Sequence, residues 1–314
     1  MTELNSAIWQ DEPGWLQKKR QLAMMLAGRF PKQADQEQWL AAWQGTKPIV
    51  SAATGLVSHD GDYVARPLSQ AVNEYSEMLQ ENLMEKAIPW QDGQLNAAHL
   101  AWIDGGQFIY VPDNMDLTMP IEFAPTLAGT NPHNVIIVGA HSQVTITETA
   151  RLTNPGVVFA GTELLVGTGA TVIYRQCNQF AGQRAWQAVH CYQAQSSRVC
   201  LEYGQGSGTD VTTSLYSFLD GQQTKWQATV ALQVPRGAHQ KCRPLLDGYG
   251  QGTAGDLQLW GQSMTPADLD LDHLKTGSGE PLAIAERQVR LTPDQNLASQ
   301  LPAASWLKNK FANA

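Results

Sequence analysis

The chain has 314 residues, of which 43% are hydrophobic and only 16% charged, with 27 Gly and a formal net charge of −8. That length allows one large domain with appendages or two domains, and the net negative charge excludes the clustered cationic surface that nucleic-acid binding needs. Low charge with abundant Gly fits a β-rich body with many corners better than a long helical bundle.

Residues 1–100 read as helical. Met1 to Trp15 is polar and acidic, without the basic and apolar regions of a secretory signal. The longest apolar runs, such as Asn134-Val-Ile-Ile-Val-Gly139, are too short to cross a bilayer. Both point to the cytoplasm. After Pro13, the spacing of Trp15, Leu22, Leu26 and Phe30 predicts a helix that Pro31 ends. Asp35 is the expected N-cap of a short helix presenting Trp39, Leu40 and Trp43. A loop with Pro48, Gly55, His59, Asp60 and Gly61 follows, then a longer helix from Pro67 with Val72, Tyr75, Leu79 and Leu83 on one stripe.

From about 101 to 262 the period changes. Short β-type runs succeed one another, among them Phe108-Ile-Tyr-Val111, Val144-Thr-Ile-Thr147, Leu164-Leu-Val166 and Val172-Ile-Tyr174, most of them separated by Gly, Pro, Asn or Asp. A sandwich, a barrel or a solenoid would each suit such strands. An internal echo favours the solenoid: Val138-Gly-Ala-His-Ser-Gln-Val-Thr-Ile146 resembles Val166-Gly-Thr-Gly-Ala-Thr-Val-Ile-Tyr174. Residues 263–314 return to helix signals, with Thr292-Pro-Asp-Gln295 in the form of a capping box. Trp306, Leu307 and Phe311 form an apolar face near the end.

Catalytic motifs are missing. There is no phosphate-binding Gly-x-x-x-x-Gly-Lys-Ser/Thr loop, no Gly-x-Ser-x-Gly elbow and no His-Glu-x-x-His, so the chain reads as non-enzymatic. Cys177, Cys191, Cys200 and Cys242 include no Cys-x-x-Cys pair; they are expected to be free thiols, most of them buried as small hydrophobes. His239 and Cys242 form a His-x-x-Cys pair on what reads as a Gly/Pro-rich turn. Imidazole and thiolate suit iron or a nascent cluster, and the same two residues also fit a plain surface loop. His190 and Cys191 are neighbours in a strand, hence on opposite faces. His273 beside Asp272 reads as a solvated pair.

Several segments, in order, resemble the SufB/SufD family of iron–sulfur cluster assembly scaffold proteins, SufD more than SufB. They are Glu12-Pro-Gly-Trp-Leu16 with Arg20 and Ala23; Gln94 to Pro112, with Asp104-Gly-Gly before Phe108-Ile-Tyr-Val-Pro112; Met119-Pro-Ile-Glu122; Val135 to Glu148; and Gly167-Thr-Gly-Ala-Thr-Val-Ile-Tyr174. The resemblance implies a right-handed parallel β-helix (β-solenoid) over 101–262, with an N-terminal helical region at 1–100 and a short C-terminal helical region at 263–314. It implies a SufB-like partner, or a second copy, held through the β-helix, and a SufC-like ABC ATPase docked on the C-terminal region. Iron or a transient cluster would belong to the assembled complex. The chain departs from the family at Leu274-Lys-Thr-Gly-Ser-Gly-Glu280, where Thr276 and Ser278 replace the usual Cys and His. A relative with a purely structural role is therefore one alternative. A carbohydrate-active β-helix enzyme is another, although Asp210, Asp220, Asp247 and Asp256 are dispersed along the chain.

Overall fold

The structure is a computed structural model and describes residue 9 and residues 11–31, 34–43, 61–182, 184–277 and 283–312. The loop read around Pro48, Gly55, His59 and Asp60, the side chains of Asp35 and Trp43, and residues 278–280 lie outside that set.

The body is a parallel β-solenoid of about six turns. One long sheet has nine strands, from Val64–Pro67 and Gln107–Val111 to Leu269–Leu271 and Lys275–Thr276; a second has seven, from Ile121–Phe123 to Ala283–Leu291. A short three-stranded sheet closes the first turns. The first pair, Val64–Pro67 against Gln107–Val111, is antiparallel. The others are parallel, each strand lying on its counterpart one turn earlier. The 28-residue echo is the register itself: Val138 pairs Val166 and Ile146 pairs Tyr174.

Each turn changes sheet at a corner in the left-handed backbone region, at Asn114, His141, Gly169, Ser196, Gln223 and Gly252. Successive corners bond to one another through the backbone. Asn114 N donates to Ala140 O, His141 N to Thr168 O, Gly169 N to Gln195 O and Ser196 N to Gln222 O. Stacking shares the conformational strain of the non-glycine corners with a ladder that fixes them.

Between corners the side chains alternate. Inward positions form ladders such as Ile109–Ile136–Leu164–Cys191 and Val144–Val172–Val199–Trp226, all buried. Each fully buried aliphatic contributes about 1.5–3 kcal/mol, so no single turn is stable without its neighbours. The solenoid continues past residue 262 into Ala283–Leu291.

The N-terminal helices cover the outer face of the nine-stranded sheet, burying Phe108, Val135, Phe159 and Ala188 beneath Leu68, Val72, Leu79 and Leu100. Gly14–Ala27 is helical as the spacing predicts, but its buried stripe is Leu16, Arg20, Ala23 and Ala27, while Leu22 is exposed. Arg20 displaces the expected stripe because its guanidinium is neutralised inside, by Glu12 at 2.8 Å and the carbonyls of Leu100 and Ala101. Ala34–Trp43 begins one residue before Asp35. The expected long helix after Pro67 is two, Leu68–Glu74 and Ser76–Asn82, broken at Tyr75. At the far end, Gln295 closes a turn onto Thr292 N, but the helix starts later, at Leu297–Gln300 behind an Asn296 cap. Leu307–Phe311 follows. Among the described residues, no helix is long and apolar enough to cross a membrane.

Candidate functional site

The predicted pair His239 and Cys242 does not converge. The turn ends at Ala238, and both residues lie in the strand His239–Gly248. Their odd spacing sends the side chains to opposite faces. His239 is half-buried on the outer face, with Nδ1 3.7 Å from Asp210, while Cys242 is wholly buried in the solenoid core. Burial pushes the Cys242 thiol up to about 12, with Asp272 adding to the rise. His190 and Cys191 do part as expected: Cys191 joins the core and His190 points outward to Ala87 O and Ser214 Oγ. His273 is exposed and lies 3.4 Å from Glu286 rather than pairing with its neighbour. Among the described residues, no group of three or more His, Cys, Asp or Glu is placed to hold a metal ion.

The structure instead assembles polar groups that the sequence reading did not single out, at the seam between helical cap and sheet. His99, from the helix Gln94–Trp102, meets His133 and Glu163 from the sheet, and all three are fully buried. His99 Nε2 lies 2.8 Å from His133 Nδ1, and His133 Nε2 lies 3.0 Å from Glu163 Oε2. Glu163 also accepts backbone N–H bonds from Met84 at 2.7 Å and Ile88 at 2.9 Å.

Hydrogen-bond inventory assigns the protons. Asn131 Nδ2 donates to His99 O, so its Oδ1 faces His99 Nδ1, which must carry hydrogen. Burial holds the His99 pKa well below the usual imidazole range, and the neighbouring His133 lowers it further. Neutral His99 then accepts at Nε2 from His133 Nδ1–H. The sheet packs tightly against this chain of bonds: a Cβ on Gly161 would lie 2.6 Å from His133 Nδ1 and 2.8 Å from His99 Nε2. These bonds can fasten the cap to the sheet.

A second polar knot fills the lumen behind it. Asn134 and Thr162, sequence neighbours of His133 and Glu163, point inward to Glu148 and Gln176. Glu148 accepts from Tyr174 Oη, Gln176 Nε2, Asn178 Nδ2 and Asn134 Nδ2. Burial raises its pKa while those four donors oppose the rise.

The segments that carried the family resemblance have structural work here. Trp15 Nε1 donates to Ser76, and Glu12 holds Arg20. Asp104 receives the backbone N–H groups of Thr130 and Asn131. Burial lifts its carboxyl to about 6 against those hydrogen bonds.

The seam makes stability depend on pH with opposing signs. Burial lowers His190 to about 4, so its contribution is present above the unfolded value of about 6.5 and is lost as pH falls toward 4. Asp104, with a raised pKa, contributes below its ordinary range and loses that contribution as pH rises through about 6. A His190→Gln variant keeps a hydrogen-bonding side chain and removes one titration. Its deficit in urea midpoint relative to the parent should shrink between pH 7 and pH 4; a constant deficit would show that His190 is not protonated on unfolding in that range.

Comparison with known proteins adds one relationship. A 111-residue stretch is 29% identical to the iron–sulfur cluster assembly protein SufD of Bacillus subtilis. The match covers 33% of this chain and 25% of that protein. No family model matches the chain.

Proposed function

We propose that the chain is a SufD-like, non-enzymatic subunit of an iron–sulfur cluster assembly scaffold, pairing through its solenoid with a SufB-like chain or a second copy and working with a SufC-like ABC ATPase. Three things support the reading: the similarity to SufD, the parallel solenoid, and the way the solenoid ends. The similarity to SufD carries the assembly role, and the last of these carries the pairing. Ala283–Leu291 pairs on one side with Ala254–Gln262 and is the terminal strand of its sheet, its first five residues exposed. Such an edge is a template for strand addition.

The edge would be self-complementary if Glu286 and Arg290 exchanged their present partners, Leu274 N and Leu269 O, for each other across copies. Two antiparallel copies related by a two-fold axis place residues of one face opposite each other. Centred on Gln288, that register sets Glu286 opposite Arg290 of the second copy, and the reverse. Cluster iron would be cargo of the assembly, since His239 and Cys242 face apart and Thr276 stands where the family has Cys.

Pull-down from native cells should recover a SufB-like chain and an ABC ATPase. Glu286→Arg or Arg290→Glu should weaken association, and if the chain pairs with itself the double swap should restore the dimer mass in solution. Recovery of neither partner, with a monomer at physiological concentration, would sink the reading.

A further inference from the structure

The outer face of the seven-stranded sheet is divided in two. Near the beginnings of its strands it forms an open groove lined by Ile173, Cys200, Gln227, Asp256 and Ala285. Toward their ends it is covered by the C-terminal helices, where Trp260, Leu297, Leu301, Leu307 and Phe311 form a small core of their own. The boundary is one carboxylate. Glu202 Oε2 takes Arg175 Nε at 2.8 Å, and Glu202 Oε1 accepts from Ser305 Oγ and Trp306 N, both at 2.8 Å.

Beneath the covering segment lies Cys177. The backbone at Gly204 lets the helices sit close: a Cβ there would lie 2.9 Å from Leu307, 3.1 Å from Phe311 and 3.2 Å from the Cys177 sulfur. Two helices of four and five residues cannot hold themselves together. Their order depends on this patch and on Glu202, whereas the solenoid beneath is held by its continuous ladders. Their small core is separate from the solenoid's continuous ladders, and a unit packed by itself can open independently of the main core.

We propose that the C-terminal helical segment is a displaceable strap, anchored by Glu202, whose release exposes the Cys177 thiol without unfolding the solenoid. With the strap closed, burial keeps this thiol protonated, pushed up to about 11 although Lys310 pulls it down. An opened strap returns it to water and to the ordinary thiol range, where the reactive thiolate forms more readily. This inference does not depend on the assembly reading.

The four cysteines supply the test and its controls. Native full-length protein is treated with N-ethylmaleimide and each site is followed by peptide mass spectrometry. Cys177 and Cys200 are both half-buried, but Cys200 lines the open groove whereas Cys177 lies under Leu307 and Phe311. In the parent, Cys200 should react first and Cys177 more slowly, while the solenoid-core thiols Cys191 and Cys242 stay protected. Glu202→Ala removes the anchor and should speed Cys177 labelling by about tenfold or more, the factor that losing charge-assisted hydrogen bonds supplies to a local opening. Leu307→Ser, which unseats the strap from its apolar side, should do the same. Cys191 and Cys242 must remain protected in both. Unchanged Cys177 rates in both variants would overturn the proposal. So would acceleration of Cys177 only in step with Cys191 and Cys242, because the cover would then move only with global unfolding.

Discussion

Replacing Glu163 with Gln should cost about 1–3 kcal/mol, the penalty for leaving a buried donor without an acceptor, and should loosen the cap before the solenoid. Both carboxylate oxygens are committed: Oε2 to Met84 N and His133 Nε2, and Oε1 to Ile88 N. An amide of the same shape keeps one acceptor and turns the other arm into a donor. Whichever way it is rotated, one N–H group meets another at a fully buried position. Because the two backbone donors belong to the cap and Glu163 to the sheet, hydrogen exchange should accelerate first at Met84 and Ile88, with solenoid ladder amides following only at the global limit. Uniform acceleration over the whole chain would mean that cap and solenoid open as one unit.

Glu163 escaped the sequence reading for a physical reason. It sits in Val157-Val-Phe-Ala-Gly-Thr-Glu-Leu-Leu-Val166, an apolar run in which an ionisable side chain is expensive unless partnered. That much was legible. Its partners were not: the backbone of Met84 and Ile88 lies 79 and 75 residues upstream, and main-chain donors carry no side-chain signature. The solenoid was more readable, because a stacked fold repeats its register in the sequence. Val138 and Val166 echo each other since one lies directly on the other. Even so, the echo is faint, as corners at His141, Ser196 and Gln223 adopt a left-handed backbone without the glycine that would announce it. Gly237 misled in the other direction. It marks a turn at Pro235–Ala238 and suggested that His239 and Cys242 shared it, whereas the strand resumes at His239 and alternation separates them.

Gly106→Ala should destabilise the chain by about 3 kcal/mol or more, combining backbone strain with an overpacked contact that cannot relax. Gly106 ends the Asp104-Gly105-Gly106 turn by which the cap enters the first strand, at φ +126. A Cβ at this position would fall 1.7 Å from His133 O and 2.4 Å from its carbonyl carbon. Those atoms belong to the next turn of the solenoid, where His133 N is bonded to Gly105 O and Gly106 O itself accepts from Leu68 N. Moving either strand to make room breaks a ladder hydrogen bond and shifts the His133 ring that fastens the cap. Gly237 supplies the internal comparison: its φ of +76 is also left-handed, but a Cβ there would meet nothing within 4 Å. Gly237→Ala should therefore cost only the strain, about 1 kcal/mol. Urea midpoints of the two variants measure the difference directly. Equal losses would mean that backbone conformation alone, and not the close approach of consecutive turns, makes glycine necessary where the cap joins the solenoid.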